Sequence, residues 1–177
     1  MHNPLAHYRE AISVDEILSA RSIVEPLTMQ MCAPLTDGAA AAIVCNNVGL
    51  RRLADGPRIW MRATVMQSGS RRASSDWSRS ISKRTADRAY EEAGVAPEDV
   101  DVAELHDDSA FDEILQTEMM GFCEIGAGGK LAESGATALG GQAGARQIPG
   151  ARIALAENGG GLYGGEEAVA TVTILST

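Results

Sequence analysis

"AELHDDSAFDEIL", residues 103–115, changes its hydrophobic period in the middle. The short, largely apolar run Val102–Leu105 gives way at His106-Asp107-Asp108-Ser109 to a helical pattern. A strand that turns directly into a helix is the repeating unit of layered α/β proteins. The junction itself carries two readings. A serine before a helix with Asp112 and Glu113 in its first turn is an ordinary cap, its carboxylates offsetting the helix dipole. A histidine among acids where a strand meets a helix N-terminus is also a common position for a site in an α/β protein.

The flanking sequence repeats the alternation. On the N-terminal side, Asp76 to Ala93 reads as the best helix of the chain, with Trp77, Ile81, Ala86, Ala89, Tyr90 and Ala93 near one face and Gly94 as its stop. Before it, RIWMRATVM (58–66) reads as a strand after a break at Gly56-Pro57, and Ser68–Ser75 as a polar loop carrying Arg71-Arg72. Further back, AAAAIVC (39–45) does not alternate and reads as a strand buried on both faces, after a turn at Asp37-Gly38. Ser13, with Glu16 three residues on, opens a short helix to about Arg21. On the C-terminal side, a helix over 109–120 leads into a Gly-rich tract, 121–150, without clear period. Two strands, RIALAE (152–157) and AVATVTIL (168–175), close the chain, joined by NGGGLYGGEE.

The 177 residues are the size of one ordinary domain, and 45% hydrophobic content is enough to bury a core. Only 4% are aromatic, so that core should be tight and built of small residues. The net charge of -9, and acids interrupting the one basic cluster from Arg71 to Arg88, exclude a nucleic-acid surface. Cys32, Cys45 and Cys123 are odd in number and lack CxxC spacing, so neither a disulfide framework nor a zinc site is indicated; Cys32 and Cys45 read as buried small hydrophobes. Reduced thiols and an N-terminus without an apolar signal core fit a cytoplasmic protein. The longest apolar stretch is too short to span a bilayer.

Three motifs need weighing. His106 with Asp107, Asp108, Asp112 and Glu113 lacks a metal-ligand spacing, so no metal is expected there. Gly159-Gly160-Gly161-Leu162-Tyr163-Gly164 fits GxGxxG after a strand, but the dinucleotide fingerprint needs a following helix and a distant acid, and a strand follows instead. What these glycines offer is backbone amides without side chains, suited to lining a pocket or an oxyanion cradle. GAGGK (126–130) fails the phosphate-loop spacing because Leu131 follows Lys130.

The blocks HNPLAHYRE (2–10), DGAAAAIVC (37–45), RAYEEAGVAPEDVDVAELHD (88–107), GFCEIGAGGKLAESGATALGG (121–141) and ARIALAENGGGLYGGEEAVATVTIL (151–175) resemble consecutive blocks of a thiolase. The nearest branch is the sterol carrier protein-type thiolases, also called nonspecific lipid-transfer proteins or thiolase-like acyltransferases. The resemblance implies an α/β fold, thiolase-like, with a mixed sheet flanked by helices. It implies carbon–carbon bond formation or cleavage on acyl-CoA thioesters in lipid or steroid metabolism, with a coenzyme A thioester as substrate and no bound cofactor. His106-Asp107 falls where this branch carries its His-Asp motif, which implies an oxyanion role for His106. Asn158 stands where relatives often carry a second catalytic cysteine; its amide can still hydrogen-bond an acyl oxygen. Tyr163 is a candidate acid/base. Asp107, Ser109, Gly159, Gly160 and Gly161 are the implied substrate-binding positions.

Two departures accompany the resemblance. Neither Cys32 nor Cys45 stands in the family's nucleophile motif, and no His-Pro pair exists among His2, His7 and His106 to supply its Gly-His-Pro base. The expected organisation is residues 1–55 as a remnant of the N-terminal thiolase half and 56–177 as the C-terminal domain with an internal deletion near 141–143. Such a piece should be inactive alone. It should work with a separately encoded thiolase half or a small partner protein, or as a homo-oligomer. Loss of the central helix should uncover the sheet face of Ile153, Leu155, Val172 and Ile174. A non-catalytic acyl-CoA or partner-binding module, and a gene product without function, are the competing expectations.

Overall fold

The computed structural model describes residues 7–53, 58–73, 75–137, 153–159, 162–163, 166–167 and 169–177. The chain divides into two compact units, Met1–Pro57 and Arg58–Thr177.

In the first unit, helix α1 (Val14–Ser19) is held by the capping box read from the sequence: Ser13 Oγ accepts from Glu16 N, and Glu16 accepts from Ser13 N at 2.7 Å. That contact pulls the Glu16 carboxyl below its usual range. The helix stops at Ser19, two residues before the expected end, with Ala20 already extended. Strands β1 (Ser22–Val24) and β2 (Leu27–Thr28) form an antiparallel pair, tied to α1 by Thr28 Oγ1 donating to Ile17 O. Helix α2 (Asn47–Leu50) is capped by Asn46.

The stretch 33–46 has no regular structure. AAAAIVC is therefore not a buried strand: residues 39–45 are all exposed, Ile43 at 80% and Val44 at 78%, and the Asp37-Gly38 turn does not form. Burial on both faces is supplied by neighbouring strands, not by the run itself. Among the described residues, the only sheet of this unit is the β1–β2 pair. Cys45 is exposed and Cys32 half-buried, which corrects their reading as core residues.

The second unit is built on a mixed four-stranded sheet. Strands β3 (Trp60–Ser68), β4 (Val102–Glu104), β5 (Ile153–Gly159) and β8 (Val169–Ser176) lie in the order β3-β8-β5-β4. β8 is antiparallel to β3 and β5, while β4 and β5 are parallel. Helix α3 (Ile81–Ala93) follows β3 after a 3₁₀ turn at Trp77–Arg79, so the expected helix from Asp76 breaks at Ser80, whose hydroxyl caps Lys83 N. Gly94, at φ +66°, closes α3 in the left-handed conformation that a side chain disfavours. Helix α4 (Ala110–Met119) follows β4, and α5 (Gly128–Glu133) lies within the Gly-rich tract that showed no helical period. Between β5 and β8, strands β6 (Leu162–Tyr163) and β7 (Glu166–Glu167) pair as a small hairpin.

The core lies between one sheet face and α3. Ala86, Ala89, Tyr90 and Ala93 meet Ala63, Val65, Leu155, Val172 and Ile174, with Met119 and Met120 sealing the end of α4. The small-residue expectation holds on the helix side, where three of four positions are alanine. The uncovered face expected at Leu155, Val172 and Ile174 is not found: all three are 1% exposed or less. α3 covers this face; Ile153's side chain lies outside the described residues. Full burial of each such side chain stabilises by roughly 1.5–3 kcal/mol.

Two polar contacts lock the helices. Tyr90 donates its hydroxyl to Met120 O at 2.8 Å, joining α3 to the end of α4. Gly128 N donates to the buried Glu118 carboxylate at 2.9 Å, joining α5 to α4; a Cβ on Gly128 would lie 2.6 Å from Ile114 O. Among the described residues no helix is long and apolar enough to cross a membrane.

Burial, with the charges of Asp87 and Glu98 adding to it, pushes the Tyr90 phenol well above its ordinary range. A raised folded-state value means that its contribution is present below the unfolded value of about 10 and is lost as pH rises beyond it. Tyr90→Phe is expected to cost about 1 kcal/mol at neutral pH through the lost hydrogen bond. It should also flatten the fall in melting temperature above about pH 10. Equal alkaline slopes for both proteins in thermal melts would contradict this.

Candidate active-site end of the sheet

Because β4 and β5 are parallel neighbours, the residues leaving their C-terminal ends emerge together. The register pairs Glu104 with Ala156, so His106, two residues beyond β4, follows the strand end beside which Asn158 and Gly159 finish β5. Asn158 pairs with Thr171 and Gly159 with Ala170 on β8. β3 also ends here: Gln67 pairs with Ala170 and Ser68 with Val169. Three strand ends therefore share one edge of the layer, the place where α/β folds hold ligands.

The turn from β4 into α4 is set by Ser109. Its Oγ accepts from Asp112 N at 3.2 Å and donates to Asp112 Oδ2 at 2.7 Å. The cap reading of the opening stretch is thus correct, and Asp112 and Glu113 occupy the first turn as expected. Outside the helix, His106 Nε2 lies 3.3 Å from Asp108 Oδ2, both side chains about half exposed. An exposed pair of this kind is worth at most about 1 kcal/mol and orients the ring more than it stabilises the fold. Asp107 is exposed and Ser109 half-buried.

The turn thus gathers His106, Asp107 and Ser109, and the sheet register brings the backbone of Asn158 and Gly159 to the same end. The side chains of Asn158 and Tyr163, and Gly160 and Gly161 entirely, lie outside the described residues. Chemically, an imidazole and strand-end amides can donate to a carbonyl oxygen that gains charge. A nucleophile is a different requirement. The Cys123 thiol is pushed up by burial and then by the Glu118 charge, against a smaller opposing hydrogen bond from Thr117, which keeps it protonated and weakly nucleophilic.

Residues 63–143 match the family described as thiolase C-terminal domain-like. The chain carries a thiolase C-terminal-like domain. This thiolase-like chain is 35% identical to the benzoylsuccinyl-CoA thiolase subunit BbsB of Thauera aromatica over 143 residues, 80% of the chain and 37% of that protein. It is 31% identical to sterol carrier protein 2 of Bos taurus, over 89% of the chain and 37% of that protein. It is 32% identical to an acetyl-CoA acetyltransferase of Methanocaldococcus jannaschii, over 73% of the chain and 34% of that protein. The thiolase-like chain therefore spans little more than a third of the length of these relatives. In three dimensions it superposes on a chain of the Ltp2-ChsH2(DUF35) aldolase with a TM-score of 0.72 at 19% identity, over 99% of this chain and 54% of the other, a likeness of fold.

Two polar features of the second unit escaped the sequence reading. Glu118 sits in the run TEMM as a buried carboxylate spent on Gly128 N, and only its place in an apolar run could have marked it. Arg84 Nη2 donates to Ser68 O, which anchors a guanidinium at the end of β3; the spacing of one helical turn from Ser80 is its sole signal.

Ser109→Ala is expected to cost about 1 kcal/mol, the usual worth of a serine cap. The loss should be local. Amide exchange of Asp112 and Glu113 should accelerate while that of β5 and β8 stays unchanged, and uniform acceleration across the sheet would contradict a purely local cap.

Proposed function

We propose that this chain is the C-terminal part of a thiolase-type acyltransferase that handles acyl-CoA thioesters in carbon–carbon bond formation or cleavage. The observation that carries the reading is the shared end of parallel β4 and β5, which sets His106 beside the strand that delivers Asn158 and Gly159. In that role His106 donates to the thioester carbonyl, Asn158 and the Gly159–Gly161 amides support the acyl oxygen, and Tyr163 is the candidate acid/base. Lipid or steroid thioesters are the proposed substrates. The named relatives, a benzoylsuccinyl-CoA thiolase subunit and an acetyl-CoA acetyltransferase among them, support coenzyme A thioesters as the ligand class.

The 177-residue chain by itself is proposed to be inactive. It holds no Gly-His-Pro segment to activate a nucleophile, and Cys123, half-buried in the bend after α4, is held protonated. A polypeptide supplying the first thiolase half, or a small partner protein, completes the site. A second reading, a binding module without chemistry, is favoured by one observation: the core of the second unit is closed by its own helix.

Incubated with acetyl-CoA or a longer acyl-CoA, the chain is expected to show no thiolysis, no condensation and no thioester on any cysteine by intact-mass spectrometry. Turnover restored by a separately expressed first half separates the enzyme-part reading from the binding module. Turnover by the chain alone, with acyl trapped on Cys32, Cys45 or Cys123, would overturn the inactivity.

A further inference from the structure

The charge of this chain is sorted along the sequence, and the fold converts that sorting into two corners of the candidate site. Residues 58–88 hold eight Lys and Arg against two Asp, whereas residues 89–129 hold twelve Asp and Glu and no Lys or Arg. The first stretch belongs to β3, its following loop and α3. The second contains the end of α3, β4, all of α4 and the first residues of α5, with four of its acids, Asp107, Asp108, Asp112 and Glu113, at the β4–α4 junction. β3 and β4 are the opposite edges of the sheet.

β3 and β4 also point the same way, since β3 is antiparallel to β8, β8 to β5, and β5 is parallel to β4. Both loops therefore open at the end where β5 finishes with Asn158 and Gly159. At the β4 corner stand Asp107, Asp108, Asp112 and Glu113. At the β3 corner Arg84 is fixed to Ser68 O, and Arg72 lies 5.1 Å over the Trp77 ring with Nη1 on the carbonyls of Ala73 and Asp76. Lys83 is paired with Asp87. Arg71 and Arg79 are exposed in the connection between β3 and α3. The corner also retains unused polar capacity: Arg84 Nε and Gln67 Oε1 are buried without a hydrogen-bond partner. Buried polar atoms left unpaired in a native fold call for a partner outside the chain, a water or a ligand.

We propose that the β3 corner, through Arg71 and Arg79 with Arg84 behind them, is the docking point for the phosphates of the thioester ligand, the acyl end lying toward β5 and β4. The inference rests on the acyl-CoA reading above and adds the direction in which the ligand lies. A ligand with several phosphates is repelled by a chain of net charge -9 and by the acidic β4 corner, and this is the one corner of the site end where cations outnumber acids. The reach fits. Three strand spacings of about 4.8 Å put the two corners roughly 14 Å apart. A pantetheine arm has about as many backbone bonds as four residues, and at about 3.5 Å per residue it extends to nearly the same length.

The test compares coenzyme A with pantetheine, which shares the thiol end and lacks the phosphates, by calorimetric titration of the 177-residue chain at low salt. Coenzyme A is expected to bind about tenfold tighter or more, the scale of charge-assisted contacts at two arginines. Arg71→Ala/Arg79→Ala should remove that advantage and leave pantetheine binding unchanged, while Arg71→Lys/Arg79→Lys should keep most of it. Both arginines are exposed, and thermal melts of each variant confirm that the fold is intact. Equal affinity of wild-type chain for the two ligands, or an advantage that survives the alanine pair, overturns the docking point while the acyl-CoA reading stands. Binding of neither ligand overturns the acyl-CoA reading for this chain, and the docking point with it.

Discussion

The second unit depends on one strand, β8 (Val169–Ser176), which follows the other strands in sequence and yet lies interior to the sheet. It hydrogen-bonds β3 on one side and β5 on the other, and through β5 it reaches β4. Its inward residues, Ala170, Val172 and Ile174, are fully buried against α3. On its outer side Thr173 Oγ1 meets Thr64 Oγ1 at 2.9 Å, so even the exposed face is tied across the strands. Without β8, β3 has no strand partner and the face of α3 has nothing continuous to cover. Pairing β3 with a strand more than a hundred residues away makes the order of the sheet depend on long-range contacts.

That arrangement also explains why chemistry-bearing residues from separate segments share one end. Among the described strands of this sheet β8 is the only antiparallel member, so β3, β5 and β4 all run the other way and release their loops together. The site then inherits a polarity that sequence order imposed: basic residues follow the first strand and acids follow the second. Local devices fix the details. Ser109 sets where α4 begins and hence where His106 and Asp108 stand, while Arg84 pins α3 to the end of β3. Tyr90 and Glu118 tie α4 to α3 and α5 by bonding backbone groups, Met120 O and Gly128 N.

Periodic segments were legible in the sequence, and segments whose state depends on neighbours were not. α3 could be read because Ala86, Ala89, Tyr90 and Ala93 recur on one face and Gly94 supplies the stop; α4 could be read from Ser109 and its acids. The strands at 58–66, 101–105, 152–157 and 168–175 fell within two residues of those observed. AAAAIVC failed because an apolar run cannot report whether another strand lies beside it. α5 failed because glycines at 126, 128 and 129 mask a helix whose first amide is satisfied by Glu118, ten residues earlier. The exposed face expected at Leu155, Val172 and Ile174 is not found because α3 already lies across the sheet. At the site, His106, Asp107 and Ser109 were legible as a strand-to-helix junction, but the arginine corner needed topology: nothing in the spacing of Arg71 and Arg84 says that they share an end with Gly159.

The central claim is that the C-terminal ends of β3, β4 and β5 form one ligand site. Titration of the isotopically labelled chain with acetyl-CoA, followed by amide chemical shifts, tests it most directly. The expected result is a set of perturbations concentrated at Ser68, Arg71, His106, Asp107 and Gly159, with the opposite ends of the strands, Trp60 and Ser176, unmoved. Perturbations confined to the first unit or to the opposite end of the sheet, or none at saturating ligand, would contradict it.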